Sequence, residues 1–230
     1  MSMSDTEPVV RPPRQRRSRE SYERVMASAR ELLSTSPLDG VTIQALADHS
    51  EVSVGAIYER FISKETLLRA VHADLMERMA ADEEAAWHEA APRLSSARAA
   101  IGAGVTIVVG VPRAHQALLR VFMHLGAVDE AIAARGSQTS REGARRFRTA
   151  VLAHRGELRH DQPERAVDVA FRMVYSTCAR RVMYGVGFES DSELGWEEMT
   201  DELARACTAY LLTDAHQTAG ADPAPPPRER

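Results

Sequence analysis

The sequence predicts an all-α chain: an N-terminal three-helix unit carrying a helix-turn-helix, then a larger helical bundle that dimerises. Three observations lead there. Apolar residues recur at three- and four-residue steps, and no segment alternates at period two for long enough to be a strand. Ser36-Pro37-Leu38-Asp39-Gly40 and Pro92 supply breaks between the periodic blocks. At 230 residues, 44% of them hydrophobic, the chain can bury one small and one larger core.

The order of elements follows. Residues 1–18 hold prolines at 8, 12 and 13 and little that can be buried, which reads as a disordered arm. The arm is basic: Arg11, Arg14, Arg16, Arg17 and Arg19 fall between residues 11 and 19 with no acid among them. From Val25 onward there are 23 basic and 29 acidic residues, so a basic arm precedes an acidic body although the net charge is only −4. Such an arm suits a polyanion that the body repels. Taken alone it would be a solvated terminus.

A helix over about 19–34 presents Tyr22, Val25, Met26, Ala29, Leu32 and Leu33 on one face. Thr42 is a good N-cap for a second helix, in which Ile43, Leu46 and Ala47 form the apolar stripe. A turn at Ser50-Glu51-Val52 leads to Ser53, which caps a third helix with Ile57, Phe61 and Ile62 as its apolar positions. Helices of about eight residues do not hold alone, because nucleation is costly below roughly 12 residues. The two short helices therefore need the first, and together they make helix-turn-helix grammar.

From Ser63 a long helix runs toward Ala90 with Leu67, Leu68, Val71, Leu75 and Met79 inside. Helical blocks follow at about 94–110, 112–134, 137–155, 163–185 and 195–213, and a polar, proline-rich tail occupies 214–230. The expected domains are thus an arm (1–18), a helix-turn-helix domain (19–64), a helical body (65–213) and a tail. The block 163–185 is apolar on two sides, and the last helix repeats apolar residues at a near-3.5 step. That pattern predicts a symmetric four-helix dimer interface built from Val167, Val174, Cys178, Val182, Met199, Leu203, Ala206 and Tyr210. A central helix buried within a monomer fits the same stripes.

Several classes are disfavoured. Cys178 and Cys207 lack ligand spacing and fall on apolar stripes, as small buried hydrophobes in a reducing cytosol would. No histidine pair has helical ligand spacing, so neither metal nor cofactor is expected. The polar N-terminus does not read as a signal peptide, and the apolar run Ala99–Val111 is too short for a bilayer span, so no membrane partner is expected. No nucleophile elbow, phosphate loop or dinucleotide fingerprint is present, which argues against an enzyme.

Between Thr42 and Leu67 the chain resembles the tetracycline-repressor (TetR) family of bacterial transcriptional regulators. Thr42, Leu46-Ala47, Val52-Ser53, Gly55, Tyr58, Phe61, Ser63-Lys64-Glu65 and Leu67 follow the family pattern. Two positions depart: the family's Ala-Gly turn is Ser50-Glu51 here, and its His before Phe is Arg60. A Glu in left-handed backbone costs about 1–2 kcal/mol, so the turn is either reshaped or strained.

The resemblance implies a cytoplasmic, ligand-responsive regulator, expected to be a repressor, that binds a palindromic operator in double-stranded DNA as a homodimer. In a helix-turn-helix the second helix enters the major groove. Ser53, Val54, Gly55 and Ala56 are then candidates near base edges, and Thr42, Tyr58, Arg60 and Lys64 near phosphates, with Arg16 and Arg17 adding affinity from the arm. A small-molecule effector would sit in the body, where His88, His115, Phe122, Met123, His124, Phe147, Phe171, Arg172 and Tyr175 are candidate lining. Two other readings stay open: a regulator without an effector, and an all-α small-molecule-binding protein that has lost DNA affinity.

Overall fold

The computed structural model describes residues 16–188 and 190–213, with side chains from residue 18 onward. Among these residues run nine α-helices and no strand: α1 Arg16–Thr35, α2 Ile43–Ser50, α3 Val54–Tyr58, α4 Lys64–Ala90, α5 Ala97–Ala114, α6 Gln116–Leu125, α7 Glu130–Leu152, α8 Pro163–Tyr184 and α9 Trp196–Leu212. The all-α expectation holds. The expected arm up to residue 15 and the tail 214–230 lie outside the described residues, while Arg16, Arg17 and Ser18, expected in the arm, belong to α1.

The helix boundaries bring corrections. α3 has five residues, not about eight, and Ile62, expected inside, is 66% exposed beyond its end. The break expected near Pro112 falls instead at His115, because a proline in the last turn of α5 removes one backbone bond without ending the helix. The expected block 112–134 is broken a second time after Leu125. There Asp129 starts α7, its Oδ1 accepting from the amides of Ala131 and Ile132 at 3.0 and 3.2 Å.

The chain forms two compact units. One runs to Asp82 and takes in Pro112–Ser140; the other takes Glu83–Val111 and everything described from Arg141, so the division falls inside α4, α5 and α7. The first unit is larger than the expected 19–64. Within it α1 packs on α2 and α6, and α2 on α3. Val25, Ala29, Leu46, Ile57, Phe61, Leu67 and Val71 are buried, as the apolar stripes of the sequence require. Polar ties join α4 to its neighbours in this unit. Arg30 Nη1 donates to Asp74 at 2.9 Å, and Arg69 Nε to Asp129 at 2.9 Å. Burial pushes the Asp129 carboxyl up, but Arg69 and the two capping amides outweigh it and hold the group below its ordinary value.

The short helices are held by their ends. Thr42 Oγ1 accepts from the Ala45 amide at 3.0 Å, and Ser53 Oγ from that of Ala56 at 3.3 Å. Between them Glu51 adopts φ 54° and ψ 34°, so of the two alternatives the turn keeps its left-handed residue and is not reshaped. Its side chain is 86% exposed and only 4.0 Å from an exposed Arg24, too weak a pair to repay the strain. Glu51→Gly therefore raises stability by about 1 kcal/mol. A urea midpoint that stays put or falls would show that Glu51 is not strained.

In the second unit the close approach is between α5 and α7. A Cβ at Gly104 would lie 2.5 and 2.7 Å from Phe147 Cδ2 and Cε2 and 3.3 Å from Trp87 Cη2. Phe147 in turn meets Phe171 at 5.9 Å between ring centroids. α5 is 18 residues long with a mean hydropathy of 1.2, which meets the length and composition of a marginal bilayer span, contrary to the shorter run expected. Ala97, Ala100, Ile101, Gly104, Val105, Ile107 and Val109 nevertheless lie in the core. Cys178 and Cys207 are buried, and burial pushes their thiols up to about 12 and about 11. Both are therefore held as thiols and pack as hydrophobes.

Candidate nucleic-acid interface

α3 has one side in the core and the other in solvent. Ile57 and, just beyond the helix, Phe61 are 0% exposed, while Tyr58 is 50% exposed. Ser53 and Gly55 are exposed, and Val54 and Ala56 half-buried. A Cβ at Gly55 would meet nothing within 4 Å, so the missing side chain serves no packing inside the chain. What it leaves is an open approach to the backbone at the start of α3. Thr42 is exposed as well, at the N-cap of α2.

The two expected phosphate cations are engaged within the unit. Lys64 Nζ donates to the Leu38 carbonyl at 3.2 Å, across the loop between α1 and α2. Arg60 Nη2 donates to the Ser18 carbonyl at 2.6 Å and to the Ser18 hydroxyl, and its guanidinium lies 6.0 Å from the centre of the Tyr22 ring. Ser18 and Tyr22 were not candidates. Nothing in the local sequence links residue 60 to residue 18, since that pairing depends on how α1 crosses the short helices. Arg16 and Arg17 lie in the first turn of α1.

The effector candidates do not converge. In the first unit Phe122 is 2% exposed against His72, with ring centroids 5.0 Å apart, and is core. Met123 is half-buried, His124 is exposed with Nδ1 2.8 Å from the Arg120 carbonyl, and His115 Nε2 lies 2.7 Å from Asp82. In the second unit His88 is exposed and Arg172 donates to Asp168 at 2.7 Å on the surface. Phe147, Phe171 and Tyr175 do come together: Phe171 stacks on Tyr175 at 5.8 Å, and Tyr175 is 38% exposed. Phe147 is 0% exposed and lies in the core. An open depression along α1 is lined by Glu20, Ser21, Glu23, Arg24 and Ala27, none of them a candidate.

The interface candidates divide in the same way. Val167, Val174, Cys178, Val182 and Met199 are at most 4% exposed within the chain itself, so they pack in its own core. Leu203 and Tyr210 are half-buried and Ala206 exposed on α9. The second apolar stripe of α8 serves the intrachain bundle.

A three-helix head, with two short capped helices and the outer side of the second open to solvent, defines the helix-turn-helix class of DNA-binding domain. Residues 25–71 match the family model of bacterial regulatory proteins of the tetR family. The head is thus similar to the tetR-family regulatory domain over those residues, and the chain as a whole carries the fold of TetR-family regulators. A bacterial regulatory protein in the tetR family from Rhodococcus RHA1 aligns over 83% of this chain and 96% of its own, with TM-score 0.62 at 18% identity. A TetR transcription regulator from Haloarcula marismortui ATCC 43049 aligns over 84% and 96%, with TM-score 0.61 at 16% identity. Salmonella enterica GusR aligns over 83% and 95%, with TM-score 0.56 at 16% identity. No curated protein sequence matches the chain.

Proposed function

We propose that the chain is a cytoplasmic transcriptional repressor that binds a palindromic operator as a homodimer and is released by a small-molecule effector. The observation that carries the reading is the outer side of α3, where Ser53, Gly55 and Tyr58 stand in solvent while Ile57 anchors the helix from beneath. Val54 and Ala56 supply methyl groups at the same end for thymine contacts. Residues 19–64 act as the DNA-reading head and 65–213 as the effector-binding and dimerising body. For the dimer, α8 still presents Met173 at 39% and Tyr184 at 50% exposed, and Ala206 is exposed on α9. Two heads about 34 Å apart match successive major grooves. An effector that favours another separation lowers affinity by shifting the population of heads away from it.

The test is a mobility shift on the duplex upstream of the chain's own gene, with Tyr58→Ala as the key variant. Because Tyr58 is half in solvent, the variant keeps its melting temperature and loses about tenfold in affinity, the worth of about one good contact. A native chain that binds no better than to unrelated duplex sinks the operator reading. A regulator without an effector is the second reading. A thermal-shift screen in which no small molecule raises the melting temperature would decide for it.

A further inference from the structure

We infer that Arg60 is a positioning residue: it pins the start of α1, and with it the point from which the arginine-rich arm leaves the head. This rests on the DNA-binding reading above. The family pattern puts a phosphate contact at this position, but the geometry turns the guanidinium the other way. Its Nη2 donates to both oxygens of Ser18, and its carbon sits 6.0 Å from the Tyr22 ring centre. Tyr22 stacks on Phe61 at 5.9 Å, and Phe61 is 0% exposed. Arg60, Tyr22 and Phe61 thus form a layered stack from the surface into the core, with Ser18 hooked onto its outer member.

Charge alone would not bring Arg60 there. The first turn of α1 contains no acid and contains Arg16, Arg17 and Arg19. A helix N-terminus itself carries about half a positive charge. A cation is repelled from such a place unless specific bonds hold it, and here they are the paired Ser18 acceptors and the Tyr22 face. Ser18 is the third residue of α1, so fixing it fixes the first turn that carries Arg16 and Arg17. Arginines tethered at a fixed point near the duplex bind it at a higher effective concentration than arginines on a fraying end. Lysine cannot substitute, because it keeps the charge but lacks the planar guanidinium that faces the Tyr22 ring while its Nη2 reaches Ser18.

The experiment uses the full chain and a random-sequence duplex, with affinity measured across a range of salt. Arg60→Gln and Arg60→Lys are each made in the native arm and in an arm neutralised by Arg11→Gln, Arg14→Gln, Arg16→Gln and Arg17→Gln. In the native arm both Arg60 variants weaken binding about tenfold; in the neutralised arm the same changes cost no more than about twofold. A residue that merely stabilised the head would cost the same in both arms. Without DNA, amide exchange at Arg19–Glu23 speeds up in Arg60→Gln. Equal losses in both arms, restored by lysine and accompanied by a salt slope shallower by about one, mean a direct phosphate contact and overturn the inference. A native chain that binds no duplex at any salt sinks the DNA-binding reading instead, and unchanged amide exchange in α1 then overturns the pinning independently.

Discussion

Phe147→Ala lowers the free energy of unfolding by about 3–5 kcal/mol, the cost of deleting a large ring from a core that collapses only in part. Phe147 is 0% exposed, with its Cδ2 and Cε2 in the space a Gly104 side chain would need and Trp87 beside them. That loss is a large fraction of a total stability of about 5–15 kcal/mol, so the variant is poorly populated at elevated temperature. The reverse change is costly too. Gly104→Ala sets a methyl 2.5 Å from a ring that cannot swing aside, and overpacking of this kind costs about 1–3 kcal/mol. The double variant is the sharper test, because the new methyl enters the space that the ring leaves. Its destabilisation falls short of the sum of the single changes by about 0.5–3 kcal/mol. Gly102→Ala, two residues earlier on α5, provides the contrast: its Cβ meets nothing within 4 Å, and the change stabilises by about 0.5–1 kcal/mol. Strict additivity of Gly104→Ala and Phe147→Ala in urea unfolding would show that the close approach is not real.

Acidification from pH 7 to 4 removes about 3 kcal/mol of stability through His72 alone. His72 is 3% exposed, packed on Phe122, and its imidazole titrates at about 4 instead of the ordinary 6.5. Burial is the main cause; Arg135 on α7 adds to the depression, and Asp129 opposes it. The sign follows from proton counting. Between pH 6.5 and 4 the unfolded chain has bound a proton at His72 and the folded chain has not, so falling pH favours unfolding across that window. Below about pH 4 both states are protonated and the loss levels off. Asp129, held below its ordinary value, sheds its contribution only in more acid solution. Glu83 acts in the opposite direction, since burial raises its carboxyl despite Arg146 and the Trp87 indole. His72→Leu keeps the apolar packing and flattens the dependence between pH 6.5 and 4. If the native chain and the variant lose the same stability over that window, His72 is not the group responsible.

The head was legible because its signals are local. A cap acts within three residues, so Thr42 and Ser53 declared the starts of α2 and α3, while the structure decided that Glu51 between them takes left-handed backbone. Ile62 misled for a related reason. It follows Phe61 directly, and once the helix ends at Tyr58 the periodicity that would have placed it inside no longer applies. Pro112 misled because it costs α5 one backbone bond and a tight contact with the preceding turn, a loss the helix absorbs as it runs two residues further to Ala114. The body was harder. Apolar stripes on α8 were visible, but a stripe records that a face is covered and not what covers it.

By itself the sequence determined the helical class, the capped pair of short helices and the open outer side of the second, because each depends on neighbours within a turn or two. Only the tertiary structure decided that Val167, Val174, Cys178 and Val182 pack inside their own chain, that Phe147 rests on Gly104, and that Arg60 reaches back to Ser18. Those facts join residues tens of positions apart, and burial and hydrogen bonding at that range are set by how helices cross, which no local pattern of residue types encodes.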